Sequence, residues 1–279
     1  MHNEKAISFE VGQHRCLGIV HKGKGESPAR TGVLLIVGGP QYRVGSHRQF
    51  VQLSRALADA GIPSMRFDYR GMGDSQGRKE SFDAIDDDIA QAMQAFHANA
   101  DIDNVVIWGL CDAASAAMIY ASKDDRVKGL ILLNPWLENS GAKGQTMLRH
   151  YYLKRLFSKA FWKKLLSGGV NLSGSLRDAG GHLKDSVSKQ AAEQGSYQQR
   201  MQNGFNAFGG TTLLVLSGVD LTAREFEQQA LGTKGWTGLK KEKVQIHRIS
   251  EADHTFSCQA WKREVEKLTI NMVMEMSQD

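Results

Sequence analysis

Apolar and polar residues follow regular patterns along this chain of 279 residues. Near its start, residues 6–10 and 14–21 alternate apolar with polar side chains, which predicts an antiparallel pair of strands at a sheet edge. Six later runs have the length and apolar content of strands, and the most apolar of them are typical of strands buried on both faces. These runs cover residues 32–37, 62–68, 104–110, 127–133, 211–216 and 244–249.

Helical spacing separates these runs. Apolar residues recur at helical intervals over residues 50–58, 82–96 and, less regularly, 261–273, and a short helix is predicted to begin at Phe226. Strands that alternate with helices predict an α/β fold with a mostly parallel central sheet and helices on both faces. In such sheets, functional sites form at the carboxyl ends of the strands.

The alternation stops between residues 141 and 210, where no run resembles a buried strand. We therefore predict a core domain from residues 1–140 and 211–279, with a helical cap inserted over 141–210. Residues 148–166 combine helical apolar spacing with a row of Lys and Arg. We interpret this stretch as a cap helix whose apolar face covers the active-site pocket. The alternative is weak contact with an anionic membrane surface.

Composition narrows the class of protein. Hydrophobic residues make up 41% of the chain, which is enough for a full core, and a net charge of +5 does not by itself indicate nucleic-acid binding. Three widely spaced cysteines form neither a disulfide framework nor a C-x-x-C metal motif. The first residues lack the apolar core of a signal peptide, and no run of about 18 apolar residues suggests a membrane span. We expect a cytoplasmic protein with reduced thiols and no cofactor.

The strand over 104–110 runs into a sharp turn and then a helix rich in small residues. Residues 109–113 read GLCDA, which matches the nucleophile elbow G-x-S-x-G with Cys111 in the serine position. The turn requires small residues two positions before and after the nucleophile, and Gly109 and Ala113 satisfy this. We expect the helix N-terminus to lower the pKa of the thiol. The simpler alternative is a buried structural cysteine.

Two further residues complete a predicted catalytic triad. Asp220 and His254 each lie just beyond a predicted strand, so the order Cys111, Asp220, His254 is nucleophile, acid, base. His254 would accept the thiol proton, and Asp220 would orient His254. Asp253, Asp74 and Asp112 are other candidates for an acidic group near the site.

An oxyanion hole needs two amide donors. One is expected from Asp112, directly after the nucleophile, and the other from the loop after residue 37. Pro40 has no N–H, which leaves Gly39 or Gln41. In the neighbouring loops, Arg70 is interpreted as a structural residue. Arg43 and the polar residues that follow it would face either an anionic part of a substrate or solvent.

Four motifs together resemble the α/β-hydrolase superfamily: residues 37–40 (VGGP), 67–75 (FDYRGMGDS), 109–113 (GLCDA) and 251–254 (EADH). More narrowly, residues 38–50 (GGPQYRVGSHRQF) and 217–226 (SGVDLTAREF) resemble exosortase A system-associated hydrolase type 1. That resemblance implies a bacterial setting of exopolysaccharide export and surface-protein sorting. Cysteine in place of serine departs from the superfamily pattern, although dienelactone hydrolases are similar in using cysteine on this fold.

The residues and the resemblance lead to a hydrolase of carboxylic esters or thioesters that acts through an acyl-enzyme on a small-molecule substrate. An acyltransferase with the same triad is the first alternative, because the acceptor group is not visible in the sequence. A non-catalytic accessory protein on a hydrolase scaffold is the second.

Overall fold

Eight strands form one sheet in the computed structural model, which describes residues 4–25, 29–138 and 195–277. The strands are β1 (Glu4–Val11), β2 (His14–His21), β3 (Thr31–Ile36), β4 (Ser64–Asp68), β5 (Asn104–Leu110), β6 (Val127–Leu133), β7 (Thr211–Ser217) and β8 (Val244–Ile249). Their order across the sheet is β1-β2-β4-β3-β5-β6-β7-β8. The β1–β2 and β2–β4 pairs are antiparallel and all other neighbours are parallel. The mostly parallel sheet and the antiparallel pair at its edge are therefore confirmed.

Helices cover both faces of this sheet. They are α1 (Gln49–Asp59), α2 (Asp86–Asn99), α3 (Asp112–Tyr120), α4 (Tyr197–Ala207), α5 (Leu221–Phe226) and α6 (Gln259–Met276). Short turns of 3-10 or π-helix lie at Ser46–Arg48, Phe82–Ala84, Ala121–Lys123, Glu227–Leu231 and Thr237–Lys240.

Alternation along the central strands divides the core into two layers. In β3, Leu34 and Ile36 face the layer that contains α2, α3 and α4, whereas Val33 and Leu35 face the layer that contains α1 and α6. Every residue of β3 is buried, which explains why its sequence is continuously apolar rather than alternating.

Two sequence predictions need correction. The short helix does not begin at Phe226 but ends there: α5 starts at Leu221, because the Asp220 side chain accepts a hydrogen bond from the amide of Ala223 at 3.1 Å and caps it. The predicted insertion also extends too far. Residues 197–207 form α4, which packs on α3 and buries Met201 and Phe205 in the core.

The rest of the predicted cap, residues 141–194, lies outside the described residues, as does the basic stretch 148–166. The cap and its contact with substrate or membrane therefore stay predictions. No helix within the described ranges is long and apolar enough to cross a membrane.

Candidate active site

Cys111 lies at a sharp turn between β5 and α3. Its backbone has φ 63° and ψ −124°, a conformation that is strained for a residue with a side chain and that is typical of functional sites. The amide of Cys111 donates to the carbonyl of Leu133 at 2.9 Å, which ties the turn to the end of β6. The structure thus gives Cys111 the strand–turn–helix setting that the sequence predicts for a nucleophile elbow.

Close packing explains the small residues around this turn. A Cβ atom on Gly109 would lie 2.7 Å from the backbone of Ala113 and Ala114, so only glycine fits there. Similarly, a Cβ atom added to Gly38, in the loop after β3, would lie 3.1 Å from the Cβ of Ala113. The spacing rule applied to the sequence therefore has a direct steric cause.

The expectation that the pKa of the Cys111 thiol is lowered is wrong for the net shift, although the helix N-terminus acts in the expected direction. Burial raises the pKa of Cys111 well above its ordinary value, and the carboxylates of Asp112 and Asp220 raise it further. The amide of Asp112 acts in the opposite direction but does not outweigh them. These effects favour the neutral thiol, whose proton has to be removed before the sulfur can act as a nucleophile.

Asp220 and His254 lie together at the carboxyl ends of β7 and β8. His254 Nδ1 is 2.8 Å from Asp220 Oδ2, and both side chains are largely buried. This contact fixes the ring so that Nδ1 faces the carboxylate and Nε2 is directed away from it. The charge of Asp220 also raises the pKa of Cys111, and the turn that carries Cys111 follows β5 at the same edge of the parallel sheet.

The alternative acids are engaged elsewhere. Asp253 accepts hydrogen bonds from the amides of Thr255 and Ser257 and from the Ser257 hydroxyl. Although burial opposes them, these bonds lower the pKa of Asp253. Asp74 pairs with Arg43 at 2.6 Å. Asp220 is therefore the carboxylate whose side chain contacts His254.

Asn134 is a residue of the site that the sequence analysis does not single out. It is fully buried at the end of β6, with φ 43°. Its amide nitrogen donates to the Ser217 hydroxyl at 2.8 Å and to the His254 carbonyl at 3.1 Å, while its amide oxygen accepts from the Ser217 backbone at 2.8 Å. Asn134 thus joins the ends of β6 and β7 to the His254 loop. The signal in the sequence was an amide side chain directly after a buried strand.

The two candidates for the second oxyanion amide differ in their hydrogen bonds. The Gln41 amide donates to the Gly38 carbonyl at 3.2 Å and so closes a turn. The Gly39 amide donates instead to the side chain of Asp112, at 2.9 Å from Oδ2. This contact directs the Gly39 N–H toward the start of α3, which favours Gly39 over Gln41.

Arg43 is committed to acids rather than directed at a substrate. Its guanidinium pairs with Asp68, which is fully buried, and with Asp74. Its backbone amide also donates to Asp68 at 2.6 Å. These contacts join the loop after β3 to the loop after β4. Ser46, His47 and Arg48 follow in the same loop, and the side chains of His47 and Arg48 are exposed.

Arg70 has the structural role that the sequence predicts. Its guanidinium donates to both oxygens of the buried Asp88, with a shortest distance of 2.7 Å, and its backbone amide donates to Asp88 at 2.8 Å. This links the loop after β4 to α2. Within the described ranges, no group of three His, Cys, Asp or Glu side chains is arranged to hold a metal ion.

Known proteins are similar to part of this chain in sequence and to nearly all of it in fold. The model of a family described as alpha/beta hydrolase fold matches residues 32–159. The human protein ABHD12B is 31% identical over 132 residues, a match that spans 43% of this chain and 36% of that protein.

Solved structures resemble nearly the whole chain. The esterase Pf2001 of Pyrococcus furiosus superposes with a TM-score of 0.66 at 12% identity, and the match covers 98% of this chain and 93% of the esterase. An alpha-beta serine hydrolase homologue from Coxiella burnetii gives 0.59 at 16% identity, with 97% of each chain covered. With the sheet order above, these findings give the chain the α/β-hydrolase fold.

Proposed function

We propose that this protein hydrolyses carboxylic esters or thioesters through Cys111, His254 and Asp220. One observation carries the proposal: a hydrogen-bonded Asp220–His254 pair lies at the carboxyl ends of β7 and β8, at the same sheet edge as a thiol on a strained strand–helix turn. The superfamily supports hydrolysis in general terms. The cysteine nucleophile and the ester or thioester bond are inferred from the residues.

The chemistry follows from the protonation of the groups. His254 Nε2 removes the proton of the neutral Cys111 thiol as sulfur attacks the acyl carbon, and Asp220 stabilises the resulting imidazolium through Nδ1–H. The carbonyl oxygen becomes an oxyanion, for which the amides of Asp112 and Gly39 are the proposed donors. His254 then protonates the leaving alcohol or thiol. Water, activated by the same imidazole, cleaves the acyl-cysteine bond and regenerates the thiol.

The resemblance to exosortase A system-associated hydrolases suggests the biological setting. We infer a bacterial cytoplasmic enzyme that serves exopolysaccharide export, with an acyl ester or thioester as its small-molecule substrate. The same triad supports acyl transfer when a sugar or lipid hydroxyl replaces water. Adding alcohols to the assay separates the two reactions, because a transferase forms a new ester while a hydrolase releases only the free acid.

A panel of activated esters and thioesters of increasing acyl length tests the proposal. We expect Cys111→Ala to abolish cleavage, whereas Cys258→Ala, which removes the exposed cysteine before α6, retains wild-type rates. Cys111→Ser tests whether His254 also activates a hydroxyl. Equal rates in wild type and Cys111→Ala would contradict the proposal and leave the accessory-protein alternative.

A further inference from the structure

The Asp112 side chain lies where the oxyanion of a substrate is expected. Its Oδ2 accepts the Gly39 amide at 2.9 Å, and its Oδ1 accepts the Ala113 amide at 3.0 Å. Its own amide also stabilises the carboxylate. A carboxylate therefore engages the Gly39 N–H, one of the two donors that the proposed mechanism assigns to the oxyanion hole, together with the N–H of Ala113 in the first turn of α3.

The loop after β3 is shaped to admit this side chain. A Cβ atom on Gly38 would lie 2.2 Å from Asp112 Oδ1 and 2.9 Å from the Leu110 carbonyl. Any other residue at position 38 would thus push the carboxylate away from the Gly39 amide. The glycine and the aspartate, 74 positions apart in the sequence, fit one another.

Burial and the neighbouring groups shift the pKa of Asp112 in opposite directions. Burial raises its pKa, and the Gly39 amide and the Lys79 ammonium oppose this. Lys79 Nζ donates to the Gly39 carbonyl at 3.2 Å, so this cation, which lies in the segment after β4, contacts the loop that carries Gly39. On the other side lie the Cys111 thiol, whose pKa Asp112 raises, and the buried Tyr69, whose pKa is raised by burial and by Asp112. The carboxylate thus suppresses formation of a thiolate beside it.

We propose that Asp112 is a specificity-determining residue: its carboxylate occupies the oxyanion hole of the free protein, and an acyl carbonyl must displace it from Gly39. This inference rests on the proposed function. An acyl group that binds only through its carbonyl competes poorly with a charged, covalently tethered acceptor. Acyl groups with additional binding energy elsewhere in the site displace the carboxylate, so Asp112 selects against small, generic esters.

Two substitutions separate the charge of Asp112 from its occupancy. Asp112→Asn keeps an oxygen that accepts the Gly39 amide but removes the charge, whereas Asp112→Ala removes both. Asp125→Ala, which deletes an exposed carboxylate before β6, is the matched control. Thermal unfolding of each variant verifies that it is folded.

The first readout needs no turnover. Hexanal forms a reversible thiohemiacetal with a cysteine: the carbon–sulfur bond forms, the carbonyl π bond breaks, and the thiol proton ends on oxygen. Its affinity for Cys111 is measured by protection against iodoacetamide alkylation. We expect hexanal to bind Asp112→Ala about tenfold or more tightly than wild type, the scale of a hydrogen bond to a charged group. Asp112→Asn should fall between them, and Asp125→Ala should match wild type.

The second readout is cleavage of a short activated ester, which we expect to rise in Asp112→Ala by a similar factor. Unchanged or weaker hexanal binding in a folded Asp112→Ala would overturn the inference. Loss of alkylation at Cys111 in that variant would also overturn it, since the carboxylate would then support the thiol. If the hexanal ranking holds but no variant cleaves esters, the competition between the Asp112 carboxylate and a carbonyl stands, whereas the proposed hydrolase function and the selection among esters fail.

Discussion

Asp220 shows how one side chain serves the fold and the proposed chemistry together. Its Oδ2 lies 2.8 Å from His254 Nδ1 and 3.1 Å from the Ala223 amide, so one carboxylate oxygen orients the imidazole and caps α5. Removing the whole side chain therefore confounds two effects. An amide at this position separates them, because asparagine caps helices as well as aspartate does.

We expect Asp220→Asn to reduce kcat by about 10²–10⁴-fold while unfolding stability stays near wild type, because the amide caps α5 but presents no charge to the imidazolium. Asp220→Ala should lose activity and also about 1 kcal/mol of stability. Steady-state kinetics and urea unfolding test both. Asp253→Asn is the comparison: if it abolished turnover while Asp220→Asn did not, the acid would be misassigned.

The raised pKa of Cys111 gives a second prediction at this scale. Burial and two carboxylates stabilise the neutral thiol, so iodoacetamide alkylation at Cys111 should accelerate only at alkaline pH, above the ordinary range of a cysteine. Mass spectrometry of the labelled peptide against pH measures this, with the exposed Cys258 as the internal reference. A rate that plateaus near neutral pH would instead show a stable thiolate–imidazolium pair.

Between elements, ion pairs position the loops that surround the site. Arg43 joins the loop after β3 to Asp68 at the end of β4, and Arg70 joins the next loop to Asp88 in α2. Both acids are fully buried, and each forms a direct ion pair with its arginine that offsets the cost of a buried charge. The loop that carries Gly39 is thus held by a contact outside the proposed chemistry.

Arg43→Ala should destabilise the protein by about 3 kcal/mol, because it removes the direct ion pair of the buried Asp68. The displaced Gly39 loop should also weaken ester cleavage, mainly through kcat. Urea unfolding and kinetics measure the two effects. Arg48→Ala removes an exposed arginine from the same loop and should change neither; equal losses in both variants would contradict the role of the ion pair.

At the scale of the molecule, the sequence predicts the sheet because buried strands must be apolar throughout. The run at 127–133 matches β6 residue for residue, and the run at 244–249 matches β8, in which apolar and polar residues alternate. Asp220 follows β7 and His254 follows β8, and these neighbouring strands are parallel, so their carboxyl ends lie at one edge of the sheet. The two residues could therefore be paired from their positions alone. Helix ends were less predictable: α5 depends on a cap, and α4 depends on packing against α3.

Contacts between distant side chains could not be predicted in this way. Nothing in local spacing indicates that the Asp112 carboxylate reaches Gly39 or that Asn134 bonds to the His254 carbonyl. The prediction that the pKa of the Cys111 thiol is lowered fails for the same reason. A helix N-terminus is visible in a sequence, whereas burial and the approach of Asp220 arise only when the chain is folded.

The acid stability of the whole fold should depend on Asp124, which lies before β6. Hydrogen bonds from Arg126 lower the pKa of Asp124 to about 2, against an unfolded value of about 3.9. Its contribution is therefore complete above about pH 4 and is lost as the pH falls toward 2. Asp124→Asn should cost about 1–2 kcal/mol at pH 7.

The difference between Asp124→Asn and wild type should disappear near pH 2, as followed by urea unfolding at several pH values. Asp125→Asn removes the adjacent, exposed charge and serves as the control. A difference that is the same at pH 7 and pH 2 would mean that the ionised carboxylate is not what stabilises the fold.

The proposed catalytic triad comes from two separate stretches of the chain, which the pairing of β6 with β7 holds together. Cys111 lies upstream of residue 138, whereas Asp220 and His254 lie downstream of residue 195, and backbone bonds such as Asn134 to Val215 join the two stretches. A polypeptide cut between these points would yield two fragments, neither with a complete triad. Ester cleavage by the mixed fragments would then report their reassembly, so the fold suits a split-enzyme complementation assay.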